Sequence, residues 1–578
     1  MKHGLPEKEF FRSSDMKVRV EQLNPIAGDL EGNKDLILKS LRKAEKDGIN
    51  LLILPELVVT AYPVHDLLES DTFRQACYRV NEEIISATKS TAILFGSITP
   101  NAGLGRKMFN SALLSKNGKL IQTVHKSLLP TYDVFDDLRY FEPAGTLSCM
   151  ELDGLRLGVT VCEDIWYNEN EIQYHTYPID PAMELKKMGA RAIVNISASP
   201  YTNRKHENRV NMLKNHVKRL GIPLFYSNQT GANTELIFDG DSMIIDSDAS
   251  VIAAVGSFSA GYTDVKWNVS EGENSVKALE KSKKIDVYPA SGPARQFEAI
   301  RCGLSDYLGK TGVTGDVVLG LSGGIDSALV CTLAAEILGP EHVTAITMPS
   351  EFSSEGSVTH SEELAHNLGI TLHNVPIGTL FKEHRSVLDP LFEGTSFGVA
   401  EENLQSRIRG ALLMAYSNKF NAFLLATGNK SEYAVGYATL YGDMNGALSL
   451  IGDLYKTEVY ALSAWLNEVF YEKEVIPAAV IEKEPSAELR PGQKDSDTLP
   501  GYDILDDILY RYIELQQGVK DIISAGHDAD NVQRVVRMVD MNEFKRNQAV
   551  PILKLSSKSF GTGRRWPIVQ RWTSRKNS

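Results

Sequence analysis

Three absences narrow the reading of this chain of 578 residues. It has only five cysteines, Cys77, Cys149, Cys162, Cys302 and Cys331, odd in number, far apart and never in a CxxC pair. That excludes a disulfide framework and a cysteine-based zinc site. No apolar run approaches the ~20 residues needed to cross a bilayer, and MKHGLPEKEFFRSSDMK lacks the apolar stretch of a secretory leader. Positive charge is in deficit: 61 Lys+Arg against 74 Asp+Glu, a formal net charge of −13. Nucleic acid is therefore not expected as the main partner, since phosphate-backbone binding is built on excess cationic charge. The 12 histidines form no HxxxH or HExxH pattern, and no GK[ST] closes a Walker A loop. A protein of the reducing cytoplasm, bound to no membrane, is the expectation.

What is present is ordinary globular composition, 43% hydrophobic and 23% charged. The pattern divides into two halves. From Met16 to about Tyr262, short apolar runs (VRVEQLN, NLLILPEL, AILFGSI, LRLGVTVCED, RAIVNISAS) read as strands alternating with amphipathic helices such as Asn33 to Lys46. Residues 1–15 read as an arm. Charge rises and apolar periodicity weakens from Asp264 to Gly292, which predicts domains over 16–263 and 293–578 joined by a linker, 264–292. In the second half, strands DVVLGL, HVTAIT and NAFLLATG alternate with helices over Asp326 to Leu338 and Ser361 to Leu368, the rhythm of a doubly wound parallel sheet. Residues 476–499, polar and Pro-containing, read as loop, with helix resuming over Asp503–Gln516.

Cys162 ends the strand LRLGVTV and is followed by Glu163-Asp164-Ile165-Trp166. A strand that breaks at a cysteine can present the thiol where backbone N–H groups hold an oxyanion, although a lone thiol is more often a buried structural residue. Glu56 follows another strand, where a carboxylate is often only a helix cap. Lys126 lies in an aromatic-rich loop, and an isolated lysine is usually a solvated one. Together, and with QLNPIAGDLEGN, NISASPYTNRK and NQTGANTELIFDGDS, the three residues resemble the nitrilase (carbon–nitrogen hydrolase) superfamily over 17–262. The resemblance implies that Glu56 is the general base, that Lys126 stabilises the tetrahedral intermediate and that Cys162 is the acylated nucleophile. Its glutaminase branch implies Tyr132, Ser199 and Lys205 as glutamine contacts. Two departures stand out: Asp137 replaces the glutamate that helps orient the lysine, so a shorter arm is expected to weaken or move that contact, and Ala61 replaces a usual glycine.

In the second half, Ser322-Gly323-Gly324-Ile325-Asp326-Ser327 follows the strand DVVLGL and runs into a helix. Such a turn offers backbone N–H groups and a helix N-terminus to phosphate, though a plain Gly-rich turn with a serine cap has the same local look. SGGxDS resembles the ATP-pyrophosphatase loop. With MPSEFSSEGS (348–357), EENLQSRIRG (401–410), ATGNKSEYAVGYATLYGDMNG (426–446), DLYKTEV (453–459), PSAELRPGQKDSDTLPGYDILD (485–506) and SFGTGRRWPI (559–568), it resembles the glutamine-dependent NAD synthetase family over about 290–570. The resemblance implies ATP contacts at Gly320, Leu321, Ser322, Gly323, Gly324, Ile325, Asp326, Ser327, Thr427 and Lys456. It implies Mg²⁺ at Asp326, and deamido-NAD contacts at Asn403, Glu432 and Lys554, with Lys558 a competing register. Arg407 and Arg409 stand evenly between a solvated face and a ligand contact; Met348 and Met444 read as core.

The implied fold is α/β, a four-layer αββα nitrilase sandwich followed by a doubly wound Rossmann-like parallel sheet. The implied reaction is amidation of deamido-NAD through an adenylate, with ATP as co-substrate and ammonia from glutamine passed along a protected route in a homo-oligomer. Another ATP-pyrophosphatase, making GMP, asparagine or thiolated tRNA, fits SGGIDS alone. A free-standing amidase leaves the second half unexplained. A degenerate scaffold predicts loss of one of Glu56, Lys126, Cys162 or Asp326, and all four are present.

Overall fold

The computed structural model describes residues 14–166, 177–270, 273–279, 291–313, 315–486, 488–490, 493 and 495–572. The arm expected at the N-terminus lies outside them, apart from Ser14 and Asp15, which already belong to a strand. The chain forms two units, one ahead of residue 291 and one from Ser291 onward.

In the first unit, period-2 alternation sorts each strand between two cores. Leu51, Ile53 and Leu94 point to one side and Leu52, Ile93 and Phe95 to the other. The first set joins Val18, Val20, Leu157, Val159, Val161, Val194, Ile196 and Phe225 in the layer between two sheets. One sheet has seven strands, in the order Asn274–Ala278, Gly261–Val269, Ser14–Gln22, Leu51–Ile53, Ala92–Pro100, Met108–Lys116, Lys119–His125. The other has six, Val251–Ala254, Met243–Ile245, Leu224–Asn228, Ala192–Ser197, Leu155–Val161, Met150–Leu152. Helices Leu30–Lys46 and Asp71–Ala87 cover the first sheet through Ile37, Leu41, Ala44, Val80 and Ile84. Pro181–Lys187 and Lys205–Leu220 cover the second through Ala182, Leu185, Met212, Leu213 and Val217. This is the four-layer αββα sandwich.

The linker expected over 264–292 is corrected by this sheet. Residues 264–269 belong to the strand Gly261–Val269, paired antiparallel with Ser14–Gln22 so that Val265 lies opposite Val18 and Trp267 opposite Met16. Asn274–Ala278 adds the next strand. Val265, Trp267 and Val269 face inward, as does Thr263, and the polar residues that alternate with them, Asp264, Lys266 and Asn268, hide the alternation from a windowed reading. Residues 280–290 lie outside the described ones.

The second unit carries five parallel strands in the order Thr371–Asn374, Val343–Thr347, Val317–Gly320, Phe423–Ala426, Leu448–Ser449. The order reverses direction between Val317–Gly320 and Phe423–Ala426, the switch point where open α/β sheets bind ligands at their carboxyl ends. The helix after the first of these strands, Ile325–Leu338, is apolar on every side and buries Ala328, Leu329, Val330, Cys331, Leu333 and Ala334. Its start is fixed by the Gly-rich turn, while Glu355–Leu368 begins earlier than expected because Ser354 caps it through the Ser357 N–H at 3.3 Å. Gly323 has φ +75°, and a Cβ there would lie 2.3 Å from the Ser357 carbonyl oxygen.

Two stability outcomes are expected. Trp267→Ala, removing a fully buried ring packed 5.6 Å from Phe225, should destabilise the first unit by about 3–5 kcal/mol in denaturant unfolding; a linker position would change by less than about 0.5 kcal/mol. Gly323→Ala should cost the second unit at least about 2 kcal/mol, from the left-handed φ and the collision with backbone, measured the same way.

Candidate active sites

In the first unit, three strand ends deliver the implied catalytic residues. Glu56 follows Leu51–Ile53, Lys126 follows Lys119–His125 and Cys162 follows Leu155–Val161. Lys126 is the centre. Its Nζ donates to Glu56 Oε1 at 2.9 Å and to Asp137 Oδ2 at 2.6 Å, and all three side chains are at most 2% exposed. Burial opposes the ammonium, but Asp137 and Glu56 outweigh it and hold its proton well above the ordinary lysine range. Asp137, with its shorter arm, still reaches the ammonium at hydrogen-bond distance. The helical turn Asp137–Tyr140 brings the backbone in, with Asp137 N–H on the Pro130 carbonyl at 3.1 Å and Tyr62 Oη donating to Asp137 Oδ1 at 3.2 Å.

Glu56 is oriented from three directions. Oε1 also accepts from Asn110 Nδ2 at 2.7 Å, and Oε2 accepts the Ala198 N–H at 2.8 Å. Cys162 has φ +45°, a left-handed value costly for a residue with a Cβ. Its thiol is buried, and that burial, followed by the charge of Glu56, pushes its proton affinity well up, with Lys126 pulling the other way. At rest the site thus holds a thiol rather than a thiolate. Ala61, where glycine is usual, takes φ +60° in full burial and bears the left-handed cost with its methyl in place.

Two of the implied glutamine contacts, Tyr132 and Lys205, bear on Glu163, the residue after Cys162. Tyr132 Oη donates to both oxygens of Glu163 at 3.0 Å, and Tyr177 Oη donates to Glu163 Oε1 at 2.7 Å. Ser199 sits next to Ala198 and donates its N–H to Asn228 Oδ1 at 2.8 Å. Lys205 Nζ donates to the Pro200 carbonyl at 2.9 Å, lies over the Trp166 ring and lowers the proton affinity of Glu163 by its charge. Sequence reading passed over Glu163, Asp164 and Asn110. The first two follow the nucleophile directly, which was a usable signal; nothing local marked Asn110.

In the second unit, a cavity of about 280 Å³ opens at the switch point. Gly320, Leu321, Ser322, Gly324, Ile325, Asp326, Ser327, Thr427, Glu432 and Lys456 all line it. Gly323 supports the turn from behind, against Ser357. Ser322 and Ser327 hydroxyls lie 3.1 Å apart. Asp326 Oδ2 accepts from Lys456 Nζ at 2.5 Å and its Oδ1 from Asn429 Nδ2 at 2.8 Å, while the same ammonium reaches Glu432 Oε1 at 3.3 Å. Burial, then the neighbouring Asp326, lifts the Glu432 carboxyl to about 8. No cluster of three or more His, Cys, Asp or Glu ligands occurs among the described residues. The Asp326 carboxylate beside a phosphate-type turn suits Mg²⁺, which would take the rest of its shell from phosphate and water.

Arg409 and Arg407 separate. Arg407 is exposed, whereas Arg409 is in the cavity wall, with Nε donating to the Met348 carbonyl at 3.0 Å and burial lowering its proton affinity to about 10. Met348 lines the cavity too; Met444 is core. Lys483, Ser357 and Glu488 were missed: Lys483 Nζ is 2.8 Å from both Ser357 Oγ and Glu488 Oε1 on the cavity rim. Asn403 and Lys554 are not brought to this cavity. Asn403 Oδ1 accepts from Thr439 Oγ1 at 2.9 Å, and the buried Lys554 ammonium donates to the Ser556 and Ser557 carbonyls at 3.0 and 3.3 Å. The carbonyl of Lys558 accepts from Lys430 at 3.0 Å.

Comparison with known proteins bears on both units. The carbon-nitrogen hydrolase family matches residues 17–272 and the NAD synthase family residues 296–549. The glutamine-dependent NAD(+) synthetase of Synechocystis sp. is 43% identical over 561 residues, covering 96% of this chain and 98% of the relative; that of Xanthomonas campestris pv. campestris is 39% identical, covering 96% and 97%. The solved glutamine-dependent NAD+ synthetase of Acinetobacter baumannii, in complex with ADP, is 34% identical and superposes with a TM-score of 0.75 over 97% of this chain and all of that one. With both family segments in order and relatives matched nearly end to end, the chain belongs to the glutamine-dependent NAD(+) synthetases.

Proposed function

We propose that the chain makes NAD+ from deamido-NAD, ATP and glutamine, and that the residues assembled at the two sites divide the work. The observation that carries this reading is the match to glutamine-dependent NAD(+) synthetases along 96% of the chain, and the buried Lys126–Glu56 pair and the cavity at the SGGIDS turn support it. In the first unit Glu56 takes the Cys162 proton as sulfur attacks the glutamine side-chain carbonyl. Lys126 balances the negative charge that grows on oxygen, ammonia leaves with a proton, and water then hydrolyses the thioester to glutamate. Tyr132, Ser199 and Lys205 would bind the amino-acid end, and Glu163 is a carboxylate suited to its ammonium.

In the second unit the nicotinate carboxylate attacks the α-phosphorus of ATP and pyrophosphate departs. Ammonia then attacks the adenylated carbonyl and AMP leaves, which converts a poor electrophile into an amide. The turn Gly320–Ser327, Thr427 and Lys456 would hold the triphosphate. Asp326 would hold Mg²⁺, which offsets triphosphate charge when bound. Glu432, in the cavity wall, would contact deamido-NAD, and Asn403 and Lys554, which do not line the cavity around the turn, would meet it farther out. The low cysteine count suits the cytoplasm; a homo-oligomer is what the family resemblance implies, and light scattering measures its size.

The test supplies ATP, Mg²⁺ and deamido-NAD with either glutamine or ammonium and quantifies NAD+ and AMP. Equal amounts of the two products are expected from both nitrogen sources. Cys162→Ala should abolish the glutamine-driven reaction and leave the ammonium-driven one within twofold. Glu432→Gln should lower both by roughly 10²-fold, since both pass through the adenylate. AMP absent with either source would sink the acceptor assignment and return another ATP-pyrophosphatase reaction to consideration.

A further inference from the structure

The nucleophile and its lysine come from different sheets, so something must fix the distance between them. The main chain of Lys126 itself is held on its own sheet, its N–H on the Asn110 carbonyl at 2.8 Å. The two residues that follow turn away from that sheet, and both of their N–H groups go to a single atom: Asp164 Oδ1 accepts from Ser127 at 2.9 Å and from Leu128 at 2.8 Å. The other oxygen, Oδ2, accepts the Val161 N–H at 2.9 Å, on the residue just before Cys162. Asp164 is 2% exposed and stands in the 3-10 turn Cys162–Ile165 that begins at the nucleophile. One carboxylate thus ties the exit of the lysine strand to both sides of the strained cysteine.

We propose that Asp164 is a positioning residue of the glutaminase reaction, setting the separation of the Lys126 ammonium and the Cys162 thiol by bridging their two strand ends. It does not touch the reacting atoms. Three peptide donors on one buried carboxylate make a stiff joint, because an N–H left unpaired in the interior is costly. The joint also braces the φ +45° backbone of Cys162, which an unsupported turn would relax. Burial lifts the Asp164 carboxyl to about 7; the N–H donors and Lys126, the charged group facing it, work the other way. A buried acid kept in such a costly place, with main-chain partners alone, is suited to alignment.

The proposal rests on the glutaminase reading, which fails separately if Cys162→Ala retains glutamine-driven synthesis. Asp164→Asn is nearly isosteric but carries one acceptor oxygen, so either Val161 or the Ser127–Leu128 pair loses its partner. The expected result is a fall of about tenfold or more in kcat for glutamine hydrolysis with KM changed less than twofold, since small misplacements of reacting groups cost rate rather than binding. Ammonium-driven NAD+ formation by the same chain should not change. The second readout is the rate of alkylation of Cys162 by iodoacetamide at one fixed pH, taken as the difference from the Cys162→Ser chain. Burial and then Glu56 raise the thiol's proton affinity while Lys126 lowers it, so a displaced lysine slows alkylation. A kcat within twofold of the parent, a KM effect without a kcat effect, or a lowered kcat with an unchanged alkylation rate would each overturn the proposal. Should Asp164→Asn melt below the assay temperature, Asp164→Glu, which keeps the charge but shifts it by a methylene, is read in the same way. If neither variant folds, Asp164 belongs to folding and not to alignment.

Discussion

A single buried ammonium between two carboxylates organises the first unit. Removing an ion from water costs several kcal/mol even after relaxation, so Lys126 is tolerable only because Glu56 and Asp137 meet it within hydrogen-bond distance. Each partner is in turn held by others: Glu56 by Asn110 and Ala198, Asp137 by Tyr62. The sandwich supplies strand ends at one edge, and the ion cluster converts them into a fixed constellation. Burial first, and then the negative charge of Glu56, hold the proton on the nearby thiol against the pull of Lys126.

The second unit meets a related need by different means. Its turn is rigid because Gly323 presses against Ser357 backbone and the helix behind it is apolar on all sides, so the turn has no soft wall to move into. Positive and negative groups are again interleaved, Lys456 lying between Asp326 and Glu432. Here the carboxylates are shared with a cation that solvent and phosphate can compete for, which is a looser arrangement than the closed cluster around Lys126. The difference matches the two chemistries: one site must position a proton transfer, the other must accept and release a highly charged nucleotide.

Much of this was legible in the chain itself. Strand ends at Glu56 and Cys162, and the switch-point turn at Ser322–Ser327, follow from short apolar runs that stop at polar residues; the strand before Lys126, Lys119–His125, buries only Val124 and reads as loop. Trp267 and its neighbours were not legible, because an edge-ward strand with charged outward residues has the composition of a linker, and only pairing with Val18 and Met16 reveals the inward face. Asp137 illustrates a second limit. Side-chain length alone suggested a weakened contact, but where the turn Asp137–Tyr140 sits, within 2.6 Å reach of Lys126, is a tertiary fact. Arg407 and Arg409, two residues apart on one helix, were inseparable by pattern; the packing of that helix decided which one is solvated. Asn403 and Lys554 came from family resemblance alone, and the local geometry gives each a partner away from the nucleotide turn.

The high proton affinity of the buried Cys162 thiol has a consequence for the protein's durability. Peroxide and most electrophiles attack thiolates, and oxidation to sulfenic acid follows thiolate character and accessibility. A nucleophile that is shielded and kept as its conjugate acid until a substrate reaches it is chemically quiet between turnovers. Residence in an oxidising cell would then cost this enzyme little of its glutaminase, although its reactivity depends on a single sulfur atom.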